Sequence, residues 1–331
     1  MTEVPSSESW VGRFVGALRD RGARDGANDA RRPRPRPRPA KAPVKRMPAP
    51  PAQQAMSMAL ALLSAVLLTL VVNLVAISQV QHVTSQAQLY KELRLQLAEG
   101  ATPVGPMDSA GHVTPLGTPV AMMSAPEIGL AHEVIVNGTT SAQTMDGVGY
   151  RRDTVLPCQA GSSVLMARSG GYGGVGERWV QLQNGDRFTV TMGEGRCTYQ
   201  VVDHRLAGQK APTPPSGKQG ALTLVTATGY PFVPTGVVRI DATLVGKSYA
   251  AANVTIPTGA LPTSELPLGS DQQQLFPLTM LLEALVALAL VATWLWRRWS
   301  PVKTFVVAIP VALALVLLTA QNVDLLLPNL L

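Results

Sequence analysis

Three long apolar runs constrain this 331-residue chain more than any other feature. They cover residues 55–80, 275–296 and 304–321. Each approaches the ~20 residues that carry an α-helix across a bilayer, the third being short. A buried core helix is the alternative for any one of them. The first run is too long and begins too late for an ordinary cleaved signal peptide, and no small-residue cleavage site follows it. It reads as a retained anchor.

Charge gives these runs a direction. Residues 1–54 hold 12 Lys/Arg against 5 Asp/Glu, which equals the whole formal charge of +7. Positively charged flanks stay in the cytoplasm. This places the N-terminus inside and residues 81–274 outside. Arg297, Arg298 and Lys303 lie between the second and third runs, where the same rule returns the chain to the cytoplasm. The expectation is a multi-pass plasma-membrane protein.

The basic balance therefore belongs to the N-terminal tail and does not argue for nucleic acid. The run at Arg31–Pro39 reads RRPRPRPRP, with no interleaved aromatics and no zinc ligands. Alternating Arg and Pro favours an extended, disordered segment. Beside a membrane it is drawn to anionic lipid headgroups; a docking site for a cytoplasmic partner is the alternative. Trp10, Val11, Phe14, Val15 and Leu18 fall on one face of a helix and suggest a short interfacial segment that Gly12 and Gly16 weaken.

Outside, residues 81–98 lack Pro and Gly and favour helix. They extend the first span as a stalk, with Leu89, Leu93 and Leu97 as a short self-association seam or simply exposed leucines. Linker composition completes the segment 81–119. From 120 to 248 short β-rich runs alternate with turn signals such as Asn137–Gly138 and Asn184–Gly185. Evenly spaced strands without long intervening helices predict an all-β domain, a closed barrel or sandwich. Residues 249–274 are again linker-like. Cys158 and Cys197 both lie outside, where oxidation is permitted, and form a candidate disulfide; a displaced nucleophile is the other reading. We expect no metal and no cofactor.

The order of motifs in this domain resembles the sortase family, in its actinobacterial class E form. APEIGL stands at Ala125–Leu130, GVGY at Gly147–Tyr150, and TVLPCQAG at Thr154–Gly161, with Cys158 where the family has glycine. Gly185–Asp186, Tyr199–Val201 and LTLVTAT at Leu222–Thr228 follow in sequence. The resemblance implies a closed sortase-type β-barrel. It also implies a cysteine nucleophile, a histidine acid and an arginine, at positions where this chain carries Ala227, Arg168 and Gly236. Alanine cannot attack an amide, and a guanidinium does not transfer protons near neutral pH. Arg239 lies three residues past the expected arginine. The hydroxyls of Thr226 and Thr228 flank the empty position, and His204 is the histidine best placed to activate one.

These readings give a membrane-anchored pseudo-sortase that binds or scaffolds a protein or peptide at the cell surface. The alternatives are an active cysteine-independent transpeptidase or hydrolase, and a purely structural subunit of a membrane complex. Arg168, Tyr172, Thr226, Thr228, Tyr230 and Arg239 are the candidate cleft residues, with Arg168 and Tyr172 on the rim. Glu283, an acid within the second span, is a candidate intramembrane site that calls for a facing partner. Pro310 is expected to kink the third helix, and the segment LLLPNLL after it to lie on the outer surface.

Overall fold

The computed structural model describes residues 51–331 except 108–110, 207, 214, 217, 231, 253–255, 258 and 299–300. The basic tail, its proposed lipid contacts and the Trp10–Leu18 helix lie outside the described residues. The first apolar run opens helix α1 (Pro51–Val72), which passes through one π-helical turn (Asn73–Ile77) into α2 (Ser78–Glu99). Gly100 ends α2 in a left-handed C-cap, φ 66°. Three helices are long and apolar enough to cross a membrane, within Leu63–Glu99, Gln272–Leu295 and Val306–Leu326.

Eight strands follow: β1 (Pro119–Ala125), β2 (Leu130–Asn137), β3 (Val148–Tyr150), β4 (Gly161–Met166), β5 (Arg187–Met192), β6 (Gly195–Leu206), β7 (Gly220–Tyr230) and β8 (Val233–Val245). Two short helices interrupt them, α3 (Ser141–Asp146) and α4 (Val175–Trp179). The strands close into a barrel in the order β1-β2-β3-β4-β7-β8-β6-β5, β5 returning to β1. Closure removes the free sheet edges that would otherwise recruit other chains. The period-2 alternation sets the interior: Leu222 and Leu224 of β7 and Ile240 and Ala242 of β8 join Leu165, Val190, Tyr199 and Trp179 in the main core. Phe188 stacks on Tyr199 with ring centroids 5.6 Å apart.

Cys158 and Cys197 are disulfide-bonded, with Cα atoms 5.7 Å apart. Cys158 takes φ 69°, the conformation glycine adopts most readily, so the bond fixes a residue type that sterics disfavour there. The disulfide reading is therefore the one the fold adopts, and neither cysteine is free.

The stalk corrects the sequence reading. Leu93 is fully buried, and α2 packs along β1, β2 and α3. Gln86 accepts from the Val134 amide at 2.8 Å and donates to the Asp146 carbonyl at 2.9 Å, which stitches α2 to the barrel. The leucine repeat is thus an intramolecular contact.

The C-terminal elements are α5 (Leu275–Arg298) and α6 (Pro301–Leu326), packed against each other as a hairpin. The α6 helix continues through Pro310 to Leu326 as one helix. Glu283 is exposed on α5 and has no hydrogen bond or ion pair among the described residues. The facing partner expected for it is not supplied by this chain's described residues.

Candidate functional site

Strands β4 and β7 run parallel, from Gly161 opposite Gly220 to Met166 opposite Val225. Strand β8 lies antiparallel on the other side of β7, pairing Val225 with Arg239, Ala227 with Val237 and Thr228 with Gly236. Because Leu222 and Leu224 point into the barrel, Val225 and Ala227 point out of it. Met166, Val225, Ala227 and Val237 make a small apolar patch there, and Leu330 covers it. Ala227 is only 3% exposed.

Leu330 arrives from beyond the third membrane helix. Its carbonyl accepts from both the amide and the hydroxyl of Ser169, at 3.0 and 3.1 Å. The Ser141 hydroxyl donates to the Leu327 carbonyl. The Asn329 side-chain amide donates to the Thr139 carbonyl at 2.6 Å and to the Leu266 carbonyl at 2.9 Å, while its backbone N–H reaches the Gly269 carbonyl at 2.9 Å. Residues 327–331 are therefore inserted between barrel and linker, held through Asn329 Nδ2, the Asn329 amide and the Leu327 and Leu330 carbonyls, while Asn329 Oδ1 is buried with no partner among the described residues. The segment lies in the groove, not on the outer surface as its sequence suggested.

Arg168 stands two residues past β4 and is 2% exposed, so it is not a rim residue. Its guanidinium donates from Nε to Thr144 Oγ1 at 3.3 Å, from Nη1 to the Leu331 carbonyl at 3.3 Å, and from Nη2 to the Ser141 and Asp324 carbonyls, both at 3.3 Å. It lies 5.2 Å over the Tyr172 ring, in cation–π range. Burial pulls its pKa down to about 10, opposed by the nearby Tyr172 and Asp324. It stays charged at neutral pH, and dispersed carbonyl dipoles hold that charge.

Local sequence explains how Tyr172 comes under it. Gly171, Tyr172, Gly173 and Gly174 all take positive φ, 60°, 38°, 83° and 53°. Three glycines allow this left-handed run, and tyrosine is carried through it at a cost in strain of about 1–3 kcal/mol. The Tyr172 hydroxyl donates to Asp324 Oδ2 at 2.6 Å, and Asn73 Nδ2 donates to the same oxygen. Burial raises the tyrosine pKa, and the Asp324 contact adds to the rise. Asn73 sits at the π turn of the first span and Asp324 near the end of the third. One carboxylate oxygen thus joins two membrane helices to the barrel.

The candidate residues separate accordingly. Arg168, Tyr172 and Ala227 come together around the inserted segment. Arg239 lies on the same outward face as Ala227, two pairs further along β8, opposite Val225. Thr226 is fully buried on the inward face, close against Gly176. Thr228 pairs its hydroxyl with Thr235 at 3.3 Å. His204 lies at Asn184 Oδ1, 3.2 Å away, so the structure does not bring it to either threonine. Tyr230 is exposed at the end of β7.

The sequence reading missed His82, Asn73, Asp324, Asn329, Ser141 and Thr144. His82 belongs to α2, not to a free stalk; its Nε2 is 3.1 Å from Glu133 Oε1, and its ring lies against Gly173. A signal existed for two of the others: Asn73 and Asp324 are polar residues within or ending apolar runs, which need partners in a membrane.

No family model and no curated protein matches the chain. Among solved structures it is similar to a sortase D5 transpeptidase of Clostridium perfringens, with 17% identity over 49% of this chain and 99% of that one, TM-score 0.40. It is similar to sortase A of Corynebacterium diphtheriae, with 19% identity over 49% and 84%, TM-score 0.35. A sortase C-1 of Actinomyces oris matches with 25% identity over 39% and 75%, TM-score 0.32.

Proposed function

We propose that this chain is a membrane-anchored, sortase-like barrel that works without catalysis, as a binding or scaffold module of a membrane complex. The observation that carries this reading is the occupied groove: Leu330 packs on Ala227, and Arg168 spends its donors on Ser141, Thr144, Leu331 and Asp324. If the motif correspondence holds, Ala227, Arg168 and Gly236 stand where nucleophile, acid and arginine would be, and none can do that work. In this reading the first helix enters from the cytoplasm and the barrel faces outward.

The test uses the full-length protein in mild detergent, with peptides carrying a sorting signal and a glycine nucleophile. No cleavage or transfer product is expected. Turnover above a no-protein control overturns the reading, and its loss in Thr228→Val or His82→Ala would identify the working group. Co-purification from the same detergent reads out the complex; recovery of the chain alone at every detergent strength argues against a scaffold.

The polar join of Asn73, Asp324 and Tyr172 favours a second reading, a structural subunit whose barrel positions its own membrane helices. Saturable binding of an added peptide separates the binding module from this subunit.

A further inference from the structure

The β7–β8 hairpin has a tip unlike the other turns of the barrel. Residues 228–236 read TGYPFVPTG and contain no charge. Tyr230 is 82% exposed and Val233 63% exposed. Phe232 takes φ 67°, a conformation that bulky side chains rarely adopt. An aromatic held against backbone preference at an exposed tip points to a use for its direction.

Its position supplies the use. A side-chain carbon placed on Gly171 would lie 3.3 Å from the Leu74 carbonyl, 3.5 Å from the Ser78 hydroxyl and 3.4 Å from the Phe232 ring. The tip therefore sits beside the first membrane helix at residues 74–78. From Pro51 to Asn73 that helix rises about 33 Å, at ~1.5 Å per residue. From Pro301 to Asp324, α6 rises about 35 Å. A bilayer's hydrocarbon core is about 30 Å thick. Counted from the N-terminal end of each helix, Asn73 and Asp324 lie at similar heights, and these two residues are hydrogen-bonded to each other. With the helices spanning the membrane as proposed, that level lies near the outer boundary of the hydrocarbon, and the tip beside residues 74–78 lies with it.

We infer that the Tyr230–Val233 tip is a lipid contact that inserts into the headgroup–acyl boundary of the outer leaflet. Tyrosine suits such a boundary because its ring is apolar and its hydroxyl finds water or headgroups. The uncharged flanks let the tip enter without desolvating an ion. This rests on the proposal that the helices span the membrane.

The test uses the full-length chain in lipid nanodiscs. Because both native cysteines are bonded, single nitroxide labels go on Val233→Cys, on Leu67→Cys in the first span and on Val202→Cys, an exposed position of β6. Power saturation with oxygen and with a water-soluble nickel chelate reads depth. The 67 label should be oxygen-accessible and the 202 label nickel-accessible. The 233 label should fall between them, on the oxygen side. A 233 label as nickel-accessible as 202 overturns the inference. So does a 233 label shielded from both quenchers, because protein then covers the tip, whether a partner or a second copy. A nickel-accessible 67 label instead refutes the spanning helix, and the lipid contact falls with it. Tyr230→Asp should shift the 233 label toward nickel, and no shift overturns a tyrosine-mediated insertion.

Discussion

Leu330→Ala probes the groove at its most buried apolar contact. Leu330 is fully buried against Met166, Val225, Ala227 and Val237. Removing its branched end forfeits about 2–3 kcal/mol of burial and packing. The hydrogen bonds of Asn329 and Ser141 remain, so the loss acts on seating of residues 327–331 and not on the barrel. The Ser169 amide reports that seating, because it donates to the Leu330 carbonyl at 3.0 Å. With local opening governing exchange, 2–3 kcal/mol corresponds to roughly 30- to 150-fold faster hydrogen exchange at Ser169. The Gly185 amide, bonded to the Val201 carbonyl at the far side, serves as the control. It should not change. Unchanged exchange at Ser169 would refute the claim that Leu330 holds the groove shut. Equal acceleration at both amides would refute the local opening.

Asn73→Leu should lower the thermal midpoint in detergent by removing about 1–2 kcal/mol of interhelical bonding to Asp324; an unchanged midpoint refutes the join. Reducing Cys158–Cys197 frees a loop closed across 39 residues and should cost about 4 kcal/mol, read as a lower denaturant midpoint with reductant present. Alkaline pH should destabilise the barrel. Burial raises Tyr150, Tyr172 and Tyr199, the last to about 12. Their folded pKa values exceed the unfolded value near 10, so this stability is fully present below pH 10 and is lost as pH rises through the folded values. Tyr199 alone accounts for about 2–3 kcal/mol by pH 12. Arg168, drawn down to about 10, works in the opposite sense over the same range, so Arg168→Met should steepen the alkaline loss. Urea midpoints measured from pH 8 to 12 check both signs.

The barrel was legible because its strands carry period-2 patterning and glycine-marked turns, and these act locally. Leu222–Thr228 reads as a strand with inward Leu222 and Leu224, and it is one. The three apolar runs were legible for the same reason. Long-range placement was not. Nothing near Arg168 in sequence reveals that Ser141, Asp324 and Leu331 surround it, so a charged residue beside Ser-Gly-Gly read as a rim. Period-2 alternation, followed one step further, does put Thr226 on the face opposite Ala227. His82 was misplaced because the stalk's helical composition carries no mark of the surface it packs on; Gln86 makes that contact with Val134 and Asp146, 48 and 60 positions away.

The inserted segment also fixes an order of events in biogenesis. In the proposed topology the barrel strands are synthesised and exported before α5 and α6 exist, so the groove forms while its occupant is still unmade. During that interval Arg168 lacks the Leu331 and Asp324 carbonyls, and the patch at Ala227 is open to water. In that topology the hairpin must thread the bilayer and return before Leu330 can reach its seat. Under the proposed topology, membrane insertion of the hairpin and maturation of the barrel are thereby linked in time, and a nascent chain stalled between Val245 and Asp324 would display an open groove that the finished protein conceals.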